Sequence, residues 1–104
     1  MNAATRERIL STIQSEKVVL FMKGDKTTPR CGFSAQVVAI LTRERIDFTA
    51  IDVLSDRELR QGLKELSSWP TFPQLYLGGE FVGGAEFVTA LSRSGAFGRV
   101  LAAI

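Results

Sequence analysis

The stretch Val18–Met22, which reads VVLFM, is a run of five apolar residues. A continuous run of mostly β-preferring residues is typical of a strand that is covered on both faces of its sheet. The run ends at Lys23-Gly24, and the polar segment 25–30 that follows predicts a loop. We therefore expect a central buried strand that leads the chain into a polar loop.

On either side of this strand the chain alternates between helical and strand patterns. In order, the segments predicted are a helix over 3–15, a helix over 31–45, a strand over 48–53, a helix opened by a capping box at Ser55–Glu58, strands over 74–77 and 80–82, and two helices after Gly83-Gly84. The side chains expected to face the core on the last three helices are Leu59, Leu63, Leu66, Phe87, Val88, Leu91, Phe97, Val100, Leu101 and Ile104.

The connections between these segments predict how the strands pair. The first two strands are joined through a helix, so they should be parallel with a right-handed crossover. The last two flank Gly78-Gly79, a tight-hairpin signal, so they should be antiparallel. The element order αβαβαββαα therefore predicts an α/β fold, a four-stranded mixed sheet with helices on both faces.

Length and composition limit the class of protein. The chain has 104 residues, of which 45% are hydrophobic, and this predicts a single domain over 1–104. The formal charge of +2 is too small to indicate a nucleic-acid surface, and no apolar run approaches the length of a membrane span. One cysteine and no histidine argue against an internal disulfide and against a mononuclear zinc site. A reducing compartment is expected, with the cytoplasm as the default; a removed import segment would leave an organellar origin open.

Cys31 lies at the predicted start of a helix. Free N–H groups and the helix dipole favour a thiolate there, and they lower the pKa of a thiol. Lys23 and Arg30 are close enough in sequence to add positive charge, and Gly32 leaves the approach to the sulfur open. The alternative is that Cys31 is a small buried hydrophobe, the commoner state of a free cysteine. Its polar surroundings favour the reactive interpretation.

Three segments in the same order resemble a known family. They are Cys31-Gly32-Phe33-Ser34, the preceding Phe21–Gly24 and the following Trp69–Gln74, and each lies at the edge of a predicted element. Together they resemble the monothiol glutaredoxins of the Cys-Gly-Phe-Ser type, over nearly the whole chain. The resemblance implies the thioredoxin fold in its glutaredoxin-like form.

Serine at position 34 limits the chemistry. A dithiol oxidoreductase of this fold resolves its mixed disulfide with a second cysteine three residues on, and Ser34 cannot do that. A Cys31–glutathione disulfide must then be released by another thiol, such as a second glutathione. A [2Fe-2S] cluster needs four ligands, usually thiolates, whereas each chain offers one. The resemblance implies a glutathione-bridged homodimer, in which two chains and two glutathiones complete the set.

The family's glutathione site can be carried over position by position. It implies contacts from Lys23, Cys31, Gly32, Phe33, Arg60, Thr71, Phe72, Pro73, Gly84, Ala85 and Glu86. Lys23 and Arg60 would face the glycyl carboxylate, although without the family Arg60 would be a solvated surface arginine. Phe72-Pro73 resembles the family's cis-proline loop, whose exposed peptide group pairs with glutathione. On spacing alone Phe72 and Trp69 are core or turn residues; with the family, Phe72 contacts the ligand and Trp69 supports it.

The segment Gly83–Glu86 departs from the family pattern of two glycines, a cysteine or serine, and an aspartate. The helix start still offers N–H groups to the γ-glutamyl carboxylate, and an acidic side chain can meet the ligand's ammonium group. Ala85 has no side chain that donates or ligates. Glu86 is expected to reach the ammonium group less well than an aspartate would, and its alternative role is that of an ordinary acid in the first turn of a helix.

Two functions use this one site. The first is carriage of a [2Fe-2S] cluster to iron-sulfur acceptor proteins, with a BolA-like protein as the partner implied by the resemblance. The second is glutathione-dependent thiol-disulfide exchange through Cys31, which would be a weak enzymatic activity. A third interpretation is an interaction module in which Cys31 is incidental. The resemblance favours the carrier.

Overall fold

The computed structural model describes residues 1–104 and contains five helices and four strands in the expected order. Their bounds are α1 Ala3–Ser15, β1 Val18–Met22, α2 Gly32–Arg43, β2 Thr49–Asp52, α3 Arg57–Ser67, β3 Gln74–Leu77, β4 Glu80–Gly83, α4 Ala85–Ser94 and α5 Phe97–Ala102. None of the five helices combines the length and the apolar character needed to cross a membrane.

The strands form one mixed sheet in the order β2-β1-β3-β4. β1 runs parallel to β2 and antiparallel to β3, and β3 runs antiparallel to β4. Met22 pairs with Asp52, and Phe21 pairs with Gln74, so the ends of β1 and β2 lie beside the start of β3. This register brings the loop that follows β1 and the loop that precedes β3 to the same end of the sheet. The predicted mixed sheet is confirmed.

The alternation of side chains along β1 divides the core into two clusters. Leu20 and Met22 pack with α2 and α4 on one face, whereas Val19 and Phe21 pack with α1 and α3 on the other. All five residues of β1 are buried, as its continuous apolar run predicts. A fully buried side chain of this size contributes roughly 1.5–3 kcal/mol to stability. Both faces of β1 therefore anchor helices.

The start of α3 differs from the predicted capping box. The N-cap is Asp56 rather than Ser55, and its carboxylate accepts a 3.0 Å hydrogen bond from the Leu59 N–H. With Asp56 as the N-cap, the third helical residue is Leu59, which has no carboxylate to reach back to the cap, and Glu58 accepts a 3.4 Å hydrogen bond from the Thr5 hydroxyl of α1. The helix thus begins one residue later than the box predicts, and Glu58 is used in a tertiary contact.

Two side chains that were expected to face the core do not. Phe87 is 37% exposed, because the first turn of α4 places its ring over Gly83 at the edge of the sheet. Ile104 is 47% exposed and lies beyond the end of α5, where its side chain rests against Gly78. The helical periodicity was correct, but periodicity alone does not show where the sheet ends and its cover of the helix faces stops.

Candidate functional site

Cys31 is the N-cap of α2, with extended backbone angles of φ −153° and ψ 137°, and it is partly exposed. The pKa of its thiol is lowered, mainly by the Ser34 N–H, whereas burial acts in the opposite direction and raises the pKa. The Phe33 N–H, the Ser34 hydroxyl and the charge of Lys23 lower the pKa further. Cys31 makes no side-chain capping hydrogen bond of ordinary geometry, so these amides act on the sulfur as nearby dipoles. The sequence prediction of an activated thiol at a helix start agrees with this arrangement.

Ser34 ties the end of β1 to the start of α2. It is fully buried, and its hydroxyl accepts a 3.1 Å hydrogen bond from the Lys23 N–H. A buried hydroxyl with a partner stabilises the fold, whereas an unpaired one would destabilise it. Position 34 therefore has a structural role in addition to lacking the thiol that would resolve a disulfide.

The loop between β1 and Cys31 is held at several points. The Asp52 carboxylate at the end of β2 accepts hydrogen bonds from the N–H groups of Gly24 at 3.0 Å and Leu54 at 2.8 Å. Lys26 lies 3.9 Å from the centroid of the Phe48 ring and donates a hydrogen bond to the Phe48 carbonyl. The loop that leads to Cys31 is thus bonded to both ends of β2.

The proline loop before β3 lies beside this helix start. The Phe72-Pro73 peptide bond is cis, as the resemblance implies. Gln74 is fully buried, and its amide nitrogen donates to the carbonyls of Trp69 at 3.1 Å and Thr71 at 3.3 Å. Its amide oxygen accepts a 3.2 Å hydrogen bond from Tyr76, whose pKa burial raises to about 12. Gln74 thereby fixes the loop from the core side.

The start of α4 is the third side of the site. Gly83 has φ 149°, and a Cβ there would lie 2.6 Å from the Phe87 Cβ. A Cβ on Gly84 would lie 3.0 Å from the Pro73 carbonyl oxygen, so the absence of side chains lets this turn approach the proline loop closely. Gly84 is the N-cap of α4 and makes no side-chain hydrogen bond, so the first-turn N–H groups lack a side-chain cap, and Glu86 lies in the same turn.

These three segments enclose a cavity of about 810 Å³. Most of the residues predicted for the site line it together: Lys23, Cys31, Phe33, Thr71, Phe72, Pro73, Gly84, Ala85 and Glu86. Phe33 and Trp69 are 65% and 43% exposed, whereas Phe72 is only 5% exposed and belongs to the core cluster with α1 and α3. The exposed aromatic surface of the cavity is therefore supplied by Phe33, Trp69 and Phe87.

Two predicted residues lie apart from this cavity. Gly32 is exposed, and a Cβ built on it meets no atom within 4 Å, so the space beside the sulfur is open. Arg60 lines an adjoining groove of about 500 Å³ together with Arg57, Lys64 and Lys23. Lys23, Thr71 and Phe72 line both spaces, so the adjoining space, which we call the basic groove, meets the cavity along these residues.

Several residues of the site were not predicted as site residues. Phe87 was assigned to the core, and the roles of Asp52 and Gln74 depend on hydrogen bonds that span the fold. Asp52 carries a weak signal, since it is a carboxylate at the end of a strand beside Cys31's loop. No group of three or more histidine, cysteine or acidic side chains is placed to hold a metal ion.

Comparison with known proteins agrees with this arrangement. A model of the glutaredoxin family matches residues 18–82. The probable monothiol glutaredoxin 2 of Rickettsia conorii is 53% identical over 95 residues, which cover 91% of this chain and 89% of that protein. The uncharacterized monothiol glutaredoxin ycf64-like protein of Synechocystis is 50% identical, with the same coverage of 91% and 89%. Some relatives are longer: the chain spans 21% of monothiol glutaredoxin-S11 of Oryza sativa subsp. japonica.

The solved structures show the same architecture. The solution structure of a monomeric truncated mutant of Trypanosoma brucei 1-C-Grx1 superposes with a TM-score of 0.85 at 39% identity, covering 96% of this chain and 91% of that one. The four-stranded sheet with its helices is thus the thioredoxin fold as glutaredoxins have it. With a single thiol at the head of α2 and a serine three residues on, the chain belongs to the monothiol glutaredoxins of the glutaredoxin family.

Proposed function

We propose that the chain binds glutathione in the Cys31 cavity and that two copies share a [2Fe-2S] cluster, which they pass to an acceptor protein. The observation that carries this proposal is the single activated thiol at the mouth of the cavity, with no second protein thiol in reach. A cluster on such a chain needs ligands from elsewhere. Glutathione and a second copy are the sources the family offers.

The cavity offers complementary groups to both ends of glutathione. Lys23 and Arg60 supply positive charge at the end that opens into the basic groove, which suits the glycyl carboxylate. At the other end, the N–H groups at the start of α4 suit the γ-glutamyl carboxylate, and Glu86 suits the ammonium group. Between them, the peptide group before Pro73 is available to the ligand backbone. The cysteinyl thiol would then lie beside Cys31.

Within this proposal the cluster is cargo, and Cys31 is the one side chain that holds it. The lowered pKa of the thiol supports this role, because a thiolate is the form that ligates iron. The partly exposed position of Cys31 suits a cluster that must leave again. The donor set fits a shared cluster, since two chains and two glutathiones supply four thiolates.

The same reasoning extends to partners and location as proposals. A BolA-like protein would replace one copy in a mixed complex, and iron-sulfur acceptor proteins would receive the cluster. A lone cysteine that must remain reduced suits the cytoplasm or another reducing compartment.

Anaerobic reconstitution with iron, sulfide and glutathione tests the proposal. We expect a coloured dimer whose visible absorption, circular dichroism and bound iron elute together in size-exclusion chromatography, and which requires both glutathione and Cys31. Cys31→Ser is the matched control and should stay a colourless monomer. A wild-type protein that remains a colourless monomer yet exchanges glutathione disulfides would overturn the carrier and favour an oxidoreductase.

A further inference from the structure

The charges of α3 are sorted onto two sides of the helix. Its acids and its capping acid contact the N-terminal segment of the chain: Asp56 with Arg8 at 2.9 Å, Glu58 with Thr5 at 3.4 Å and Glu65 with the Met1 amine at 3.1 Å. These contacts hold α1 against α3. The acidic side of α3 is therefore occupied within the molecule.

The basic side of α3 has no such partners. Arg57, Arg60 and Lys64 lie at i, i+3 and i+7, so they share one face, and all three line the basic groove together with Lys23. The two ion pairs of the molecule involve none of these four cations, and no acidic side chain lines the groove. Like charges gathered in one groove repel one another unless an anion joins them.

One glutathione does not account for all of this charge. In the proposed function, its glycyl carboxylate carries a single negative charge and is matched by Lys23 and Arg60. Arg57 and Lys64 lie on the same face of α3 and remain without an anion. The exposed side chain of Leu54, also on the groove, adds an apolar contact beside them. The surface therefore extends beyond the ligand that the site is proposed to bind.

We propose that Arg57 and Lys64 form a docking strip for an acidic segment of a partner protein, which binds beside glutathione and brings its own reactive group to Cys31. The continuity of the basic groove with the cavity supports this arrangement, since Thr71 and Phe72 line both spaces. Exposed charges of this kind act mainly on the association rate and on the choice of partner, and salt screens them. What the partner does at Cys31 rests on the proposed function. Its binding to Arg57 and Lys64 does not.

Binding of a short fluorescent glutamate-rich peptide tests the strip directly. The Cys31→Ser chain is used without iron, so that the result does not depend on thiol chemistry or on a cluster. By fluorescence anisotropy at low salt, the glutamate peptide should bind about tenfold more tightly than a copy with every glutamate replaced by glutamine. Binding should weaken as salt is raised. Equal binding of the two peptides would overturn the proposal.

A matched pair of variants locates the binding. Arg57→Gln with Lys64→Gln should remove the preference for the acidic peptide. Arg6→Gln with Arg99→Gln changes the net charge equally at exposed positions on α1 and α5 and should preserve it. Equal losses in both double variants would show that net charge alone is responsible, and would reject the strip.

Competition with glutathione separates this inference from the proposed function. Excess reduced glutathione should leave the peptide bound, because Arg57 and Lys64 lie beyond the ligand's proposed carboxylate site. Complete displacement by glutathione would mean that the peptide occupies the glutathione site, and the separate strip would be rejected. Peptide binding by the Cys31→Ser chain, together with failure of the wild-type chain to assemble a cluster, would keep the strip and reject the carrier.

Discussion

A residue that precedes the first turn of a helix faces amide groups with no partner in the helix, and Cys31 occupies such a position. The main cause of its lowered pKa is the backbone N–H of Ser34, and the charge of Lys23 is the least of the causes. A backbone group cannot be removed by mutating a side chain. The thiolate therefore depends on how α2 begins more than on any one neighbouring cation.

Alkylation of Cys31 tests this cause. The rate with iodoacetamide should rise with pH through a midpoint below that of a free cysteine peptide, and it should reach its plateau at a lower pH. Lys23→Gln should move the midpoint upward only slightly, because its charge is the smallest contribution. A large upward shift in that variant would show that Lys23, and not the helix start, sets the pKa.

The same shift links Cys31 to stability. The pKa of the thiol is lowered on folding, so between the folded and unfolded pKa values the folded state binds fewer protons than the unfolded state. The contribution of the thiol to the free energy of unfolding is therefore fully present above the unfolded pKa. It is lost as the pH falls through the folded pKa. The free energy of unfolding of the native chain should therefore rise relative to Cys31→Ser as the pH increases from the lowered folded pKa to the ordinary pKa of an unfolded cysteine. Urea titrations at a series of pH values measure this difference.

Among the elements, the proline loop depends most on one buried side chain. Gln74 starts β3 in the sheet and bonds the carbonyls of Trp69 and Thr71 in the loop before it. The loop itself is exposed at Trp69 and Thr71, so it has few packed side chains of its own to hold it. Its position beside Cys31 is thus determined by a polar group in the core.

Substitution of Gln74 should loosen this loop. Gln74→Leu removes the donor to both carbonyls and the acceptor for Tyr76, and each buried group left without a partner costs about 1–3 kcal/mol. We expect a lower free energy of unfolding and a changed emission of Trp69, the one tryptophan of the chain. Tyr76→Phe is the control, because it keeps the bonds to the loop. Unchanged Trp69 emission in Gln74→Leu would show that the loop holds itself.

At the scale of the molecule, β1 joins the two halves of the core. Leu20 contributes to the cluster under α2 and α4, and Phe21 to the cluster under α1 and α3. Both side chains are fully buried. Because neighbouring residues of one strand anchor opposite faces, the two clusters should unfold together.

Leu20→Ala should lower the free energy of unfolding by about 2–5 kcal/mol, the range for a leucine removed from a packed core. Circular dichroism, which reports on the helices, and Trp69 fluorescence, which reports on the site, should show coincident urea transitions before and after the change. Separate transitions would mean that the two clusters are independent units.

Local pattern determined most of the fold. The apolar run of β1 and the helical periodicities depend on neighbours within a few residues, and all nine elements lie where those patterns place them. Local pattern also determined the position of the Cys31 thiol at the N-terminus of α2, because a helix start is a local feature. Tertiary structure decided the partner of Glu58, since its contact with Thr5 joins residues far apart in sequence.

The grouping of the site was likewise a tertiary result. Where Arg60 lies relative to Cys31, and which of Phe72 and Phe87 is exposed, depend on where the sheet ends and how α3 and α4 pack beside it. The sequence by itself determined the elements and the reactive residue, because both arise from short-range interactions. The cavity, the basic groove and the support from Gln74 were decided by packing, because each joins segments that meet only when the chain has folded.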